Sequence, residues 1–402
     1  MMMFRAWQRK AAHTMVIGIG LITAMLSSPT SRAEESPSEL IIRPSFHYRL
    51  IGLTTNNESV FHKDEHQDNN QQVVLTAMVK GKSGYQHEYV LEPSIRTKRS
   101  RFDENQLETR FEQGYVNTKL ANRLYVQAGK KEEYEGPGVL VNPSDLLNED
   151  RKLFDSLYYR QGKMLARVQT SIGSNQTLSV TALPKKGQGS KEAAGLFRYN
   201  VMAGSTNATV KYKYSRDVKS TWALSGSQFL GEFLEVHAEG RYQSKQRSAD
   251  DFRERAFSDW RQDDPSLAGL GGVRLIFAPQ RSFVGEYIAN QSGLTKDEYV
   301  NFLTSLKTGG ELDREPDDRL LSRQYALAAY YDEKLIPNST FEIAFVRCLL
   351  DGSSFSSAKI QWHVSEVTAI ELNGILYRGA ELTEFGEMPF RNIGYLSFIG
   401  SI

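Results

Sequence analysis

The chain has 402 residues, 40% hydrophobic and 24% charged, with a formal net charge of +1. Such a balance speaks against nucleic-acid binding, which calls for a basic face or tail. Past residue 33 nothing approaches the roughly 18 continuous apolar residues of a spanning helix. A single cysteine, Cys348, leaves neither a disulfide framework nor Cys-ligated zinc.

Residues 1–33 read as a secretory signal peptide. Arg5, Arg9 and Lys10 make a positive start, Thr14–Leu26 is a short apolar core, and Ser31-Arg32-Ala33 sets cleavage after Ala33. From about residue 40 the pattern changes to strict two-residue alternation. In Phe233–Tyr242, Leu234, Val236, Ala238, Gly240 and Tyr242 alternate with Glu235, His237, Glu239 and Arg241. A strand sends successive side chains to opposite faces, so this tract has one apolar and one polar face.

Comparable segments run in chain order through 40–52, 73–80, 85–96, 107–118, 123–130, 163–172, 177–183, 197–203 and 208–214. They continue with 220–229, 233–242, 272–277, 282–290, 324–331, 340–349, 358–364, 369–377 and 393–402. Pro93 lies inside one of them and donates no hydrogen bond, so a local bulge is expected there. About eighteen such tracts predict an all-β fold, a transmembrane antiparallel up-and-down β-barrel. Lipid tolerates no open sheet edge, so the sheet must close on itself. Tyr89, Leu91 and Ile95, and likewise Ala358, Ile360, Trp362 and Val364, are assigned to the outer face.

The connections alternate. Those at 81–84, 120–122, 173–176, 204–207, 230–232, 278–281, 335–338 and 365–367 are short and turn-rich. Those at 54–72, 131–162, 184–196, 244–271, 291–323 and 378–392 are long and mostly hydrophilic. Long extracellular loops and short periplasmic turns are the expected layout when both termini face the periplasm. Residues 34–402 then form one barrel domain. Its last strand, with Leu396, Phe398 and Ile402 on one face, resembles the C-terminal signal of barrel-assembly clients, although that signal usually ends in Phe or Trp.

The connection 131–162 is the most distinctive. Gly136-Pro137-Gly138 forces a turn, and Asn142-Pro143-Ser144-Asp145 suggests a second turn leading into a helical cap. Val139, Leu140, Val141, Leu146 and Leu147 are too apolar for a solvated loop, so the segment is expected to fold into the lumen and narrow it. Ala128-Gly129-Lys130, Gly136, Gly138 and Asn142–Leu147 resemble a segment shared by porin-like outer-membrane proteins, among them alginate-export-like barrels; Glu135 stands where that pattern has Trp. The resemblance implies the barrel type, not a substrate.

Arg96, Arg110, Arg123 and Arg167 fall at inward positions of four neighbouring strands. The loop offers Glu132, Glu133, Glu135, Asp145 and Asp150. Two arrangements fit: a basic wall facing an acidic loop across a constriction, which would select solutes by charge, or mutual pairing that stiffens the wall. His47, His363 and Glu371 are also inward, as is the row Glu235, His237, Glu239 and Arg241. No nucleophile elbow, HExxH or Ser-His pairing accompanies them, so neither an enzyme nor a metal site is expected, and no cofactor is implied. The clusters His62–His66 and Glu315–Asp318 read as solvated loops.

The expected function is passive diffusion of small hydrophilic solutes or oligosaccharides through an outer-membrane channel. The expected partners are outer-membrane lipid, lipopolysaccharide and the barrel-assembly machinery. The competing reading is a barrel that anchors or assembles an envelope polymer and does not transport.

Overall fold

The computed structural model describes residues 39–55, 70–83, 86–99, 106–139, 141–147, 162–184, 193–215, 220–244, 265–291, 293–307, 322–388 and 390–401. The predicted signal peptide, the acidic clusters at 62–66 and 315–318, Leu140, Asp150 and Ile402 lie outside these residues.

Eighteen strands follow one another. They are β1 (Glu39–Thr55), β2 (Asn70–Ser83), β3 (His87–Arg99), β4 (Gln106–Ala121), β5 (Leu124–Lys131), β6 (Lys163–Ile172), β7 (Gln176–Leu183), β8 (Ala194–Ala203) and β9 (Thr206–Ser215). The second half comprises β10 (Thr221–Leu230), β11 (Leu234–Gln243), β12 (Ser266–Ala278), β13 (Arg281–Asn290), β14 (Gln324–Asp332), β15 (Ser339–Cys348), β16 (Ser354–His363), β17 (Thr368–Arg378) and β18 (Phe390–Ser401). Each pairs antiparallel with its sequence neighbour, and β1 pairs with β18 from Ser45↔Ser401 to Leu53↔Ile393, which closes the ring. At that seam the Phe46 ring lies over Gly400, where any Cβ would overlap it. The bulge expected at Pro93 is present: the register slips between Glu92 and Pro93, and Glu112 of β4 is the extra residue.

The alternation sorts as lipid outside and water inside demand. On β11, Glu235, His237 and Glu239 are buried in the interior while Val236, Ala238 and Tyr242 are exposed on the outer wall. Phe229, Phe233, Phe277 and Trp362 ring the end with the short turns, and Tyr214, Trp222 and Tyr242 ring the other; both are girdles of the kind that sit at headgroup level. The wall is held by a closed ladder and an apolar exterior instead of one hydrophobic core.

The even-numbered connections run two to six residues, as predicted. Three odd ones, 100–105, 216–220 and 349–353, are equally short, so length separates the two ends only in part. Among the described residues one helix, α1 (Lys296–Lys307), stands in a long connection. Its start is a capping box, with Thr295 Oγ1 accepting from Glu298 N and Glu298 Oε2 accepting from Thr295 N. Residues 379–388, expected as part of a hydrophilic external loop, instead fold back over an interior apolar cluster. Phe385 packs there with Tyr325, Phe355 and Tyr377, and the buried Glu384 accepts from Tyr325 Oη at 2.7 Å. The carboxylate enters because the wall supplies its donor.

Candidate functional site

The loop after β5 enters the lumen. Its two turns are built by local chemistry. Asp145 N donates to Asn142 O at 2.9 Å, closing a turn around Pro143, and Asp145 Oδ1 accepts from Leu147 N at 3.1 Å. The turn is the one read from sequence, but Leu146 and Leu147 are not helical. Both leucines are buried against Leu196 of β8 and Ala223 of β10, and Val141 packs against the interior apolar cluster that includes Leu270 of β12.

Polar groups of the wall hold the loop's backbone. Glu239 on β11 accepts from Gly138 N at 2.8 Å with one oxygen and from Ser144 N at 2.9 Å with the other. Glu286 on β13 accepts from Val139 N at 2.8 Å. Its same oxygen lies 3.1 Å from His237 Nε2. On β9, Lys211 donates to Ser144 O at 2.8 Å and Lys213 to Leu146 O at 3.0 Å. Because β13 is eight strands from β5 on an eighteen-strand ring, the loop reaches nearly to the opposite wall. Glu239 and Glu286 thus satisfy amides that the lumen would otherwise leave unpaired.

The glycines permit this approach. Gly136 has φ +104°, and a Cβ there would sit 2.7 Å from Glu239 Oε1. At Gly138 a Cβ would strike Val141 O. Gly136→Ala is therefore expected to weaken docking by roughly 1–3 kcal/mol through backbone strain. The measurement is open-channel current noise, which should rise above that of the parent protein.

The acids of the loop meet cations of the wall. Arg167 grips Glu133 with two nitrogens at 2.7 and 2.6 Å, and its Nε donates to Thr181 on β7. Burial works to raise the Glu133 carboxyl, but the Arg167 bond and charge, with Lys131 and Arg198, outweigh it and hold the group below the ordinary range. Glu135 is buried between Arg198 at 3.0 Å and Lys211 at 2.9 Å. Asp145 is buried and caps its own turn.

Of the predicted arginines, Arg167 reaches the loop. Arg96 instead pairs with Glu112 at 2.8 Å, the bulge residue that also accepts from Ser94. Arg110 stands opposite Ser94 on the same inward row. Arg123 is misplaced by the sequence reading: it is an exposed turn residue between β4 and β5, at the opposite end of the barrel from the loop, because β5 begins only at Leu124. Arg123→Gln should leave the reversal potential in asymmetric salt unchanged. Arg198, Lys211 and Glu286 were not foreseen as site residues. Of the inward row on β11, Glu235 pairs with Arg274 at 3.0 Å while His237 and Glu239 serve the loop.

No protein-family profile matches the chain, and no curated protein matches it by sequence. Solved structures do. OccK5 (OpdH) of Pseudomonas aeruginosa aligns with a TM-score of 0.54 at 13% identity, over 90% of this chain and 97% of that one. OpdL of the same organism gives 0.55 at 10%, over 91% and 98%. OccAB1 of Acinetobacter baumannii gives 0.54 at 11%, over 90% and 96%. At such identity the likeness is one of fold: the chain has the closed eighteen-strand architecture of these proteins across nearly its whole described length.

Proposed function

We propose that the chain is an outer-membrane channel through which small hydrophilic solutes diffuse passively, the lumen loop setting the aperture. The observation that carries the reading is the inversion of the wall, apolar outside and ionic inside, around a loop tethered by Glu239 and Glu286. An outer-membrane location follows from the same wall and from the structural likeness to the Pseudomonas and Acinetobacter proteins.

Glu133 and Glu135 of the loop are matched by Arg167, Arg198 and Lys211, so at these two positions the loop contributes shape more than charge. The motif Gly136–Leu147 supports a further proposal of kinship with alginate-export-like barrels, which would place oligosaccharides among the solutes. Purified protein in a planar bilayer should give discrete ohmic conductance steps, and liposome swelling should rank solutes by size. A folded barrel that never conducts would overturn the reading in favour of an anchoring role in the envelope.

A further inference from the structure

Among the described residues, most cations that the barrel wall turns inward have a carboxylate, hydroxyl or carbonyl partner. Two that it turns outward do not. Arg347 lies between the fully buried Val346 and Cys348 of β15, and Arg378 follows the buried Tyr377 at the end of β17, so both side chains leave the wall on its outer face. Both are exposed, and among the described residues neither has a carboxylate partner. They flank one residue: Ser354 of β16 pairs with Arg347 on one side and with Arg378 on the other, and it too points outward because Phe355 after it is buried inside. Two strand spacings put the guanidinium roots about 10 Å apart across a hydroxyl.

The height of this row decides what it meets. Trp362, exposed at the margin by the short turns, is eight residues down β16 from Ser354. At about 3.3 Å per residue and a tilt near 40°, that is roughly 20 Å along the barrel axis, just inside the upper limit of an apolar band about 25 Å tall. Exposed Phe345 and Leu349 lie two residues to either side of Arg347, so its aliphatic stem runs through apolar wall before the charge reaches the boundary. A guanidinium at that depth has the geometry to hold a phosphate by paired N–H donors.

We propose that Arg347, Ser354 and Arg378 form a site on the outer wall for the phosphoryl sugar headgroup of an acylated glycolipid in the outer leaflet, lipid A being the occupant. The acyl chains lie along the apolar column of Phe345, Ile343 and Leu376, and the phosphoryl oxygens accept from the two arginines. The site is separate from the lumen, so it stands or falls independently of conductance.

The test is binding of purified bis-phosphorylated lipid A to delipidated, detergent-solubilised barrel, followed by native mass spectrometry. The wild-type protein is compared with R347Q/R378Q and with K334Q, which removes an exposed cation at the opposite end. Retention of heat-modifiable electrophoretic mobility shows that each variant is folded. Binding at least about tenfold weaker in R347Q/R378Q, unchanged in K334Q, and not displaced by inorganic phosphate is expected. Equal binding by R347Q/R378Q, equal binding of lipid A stripped of its phosphates, or displacement by free phosphate would each overturn the proposal.

Discussion

Glu239→Ala is expected to free the lumen loop, raising single-channel conductance and turning a steady current into a flickering one. Each oxygen of Glu239 accepts from a different loop amide, Gly138 N and Ser144 N. Bonds to a charged acceptor contribute roughly 1.5–3 kcal/mol each, so removing both takes about 3–6 kcal/mol from docking. That shifts the docked-to-undocked ratio by roughly two to four orders of magnitude. Glu286 and the lysines of β9 retain some hold on the loop, so the variant should fluctuate instead of emptying the lumen. Glu239→Gln keeps one acceptor and loses the charge, and it should fall between the two. A folded Glu239→Ala barrel with the parent's conductance and noise would show that the loop is held by its buried leucines alone. The same measurement on Glu286→Ala, which loses one amide and the His237 contact, ranks the two anchors.

How much of this was readable in advance follows from what imposes each feature. Lipid outside and water inside enforce a period of two on every strand, so all eighteen strands were visible from alternation. Their ends were lost where that contrast fades. β12 begins at Ser266, not at residue 272, because Gly269 and Gly271 looked like loop. In fact the imidazole of His237 occupies the space a Cβ on Gly272 would need. β16 begins at Ser354, where Ser354, Ser356 and Ser357 around a single Phe355 give no apolar-polar alternation. The inward course of residues 131–147 was legible from apolar residues stranded in a loop.

Their partners were not legible. Val139 meets Glu286 across 147 residues and Ser144 meets Lys211 across 67, and no local pattern encodes contacts made around a closed ring. Arg123 illustrates a further limit. Parity assigns a face of the wall but not a depth, and depth is fixed by where the strand starts. Residues 379–388 misled in the opposite sense, since Glu384 and Glu387 are polar in sequence yet buried against donors in the structure.

Lys211→Met should be the most damaging single change on the cationic side of the loop. The ammonium is almost wholly buried and holds Glu135 Oε2 at 2.9 Å and Ser144 O at 2.8 Å. Methionine keeps the stem and removes the charge, leaving a buried carboxylate whose remaining cation, Arg198, is partly exposed and screened by solvent. Breaking a buried pair by deleting one member typically costs about 3–5 kcal/mol, because the charge left behind is not compensated. The companion change Glu135→Gln removes that charge, so Lys211→Met/Glu135→Gln should recover much of the loss and Glu135→Gln alone should cost less than Lys211→Met. The cycle is read from equilibrium urea unfolding in lipid vesicles, with the conductance noise of each variant as the local measure. A coupling of about 0.5–3 kcal/mol is the range expected of residues in contact. If Lys211→Met cost no more than an exposed cation, and the second change restored nothing, Glu135 would be solvated in the membrane-bound protein. The loop would then be held by Glu239 and Glu286 from the far wall and by Lys213 from β9, with no ionic clamp from Lys211.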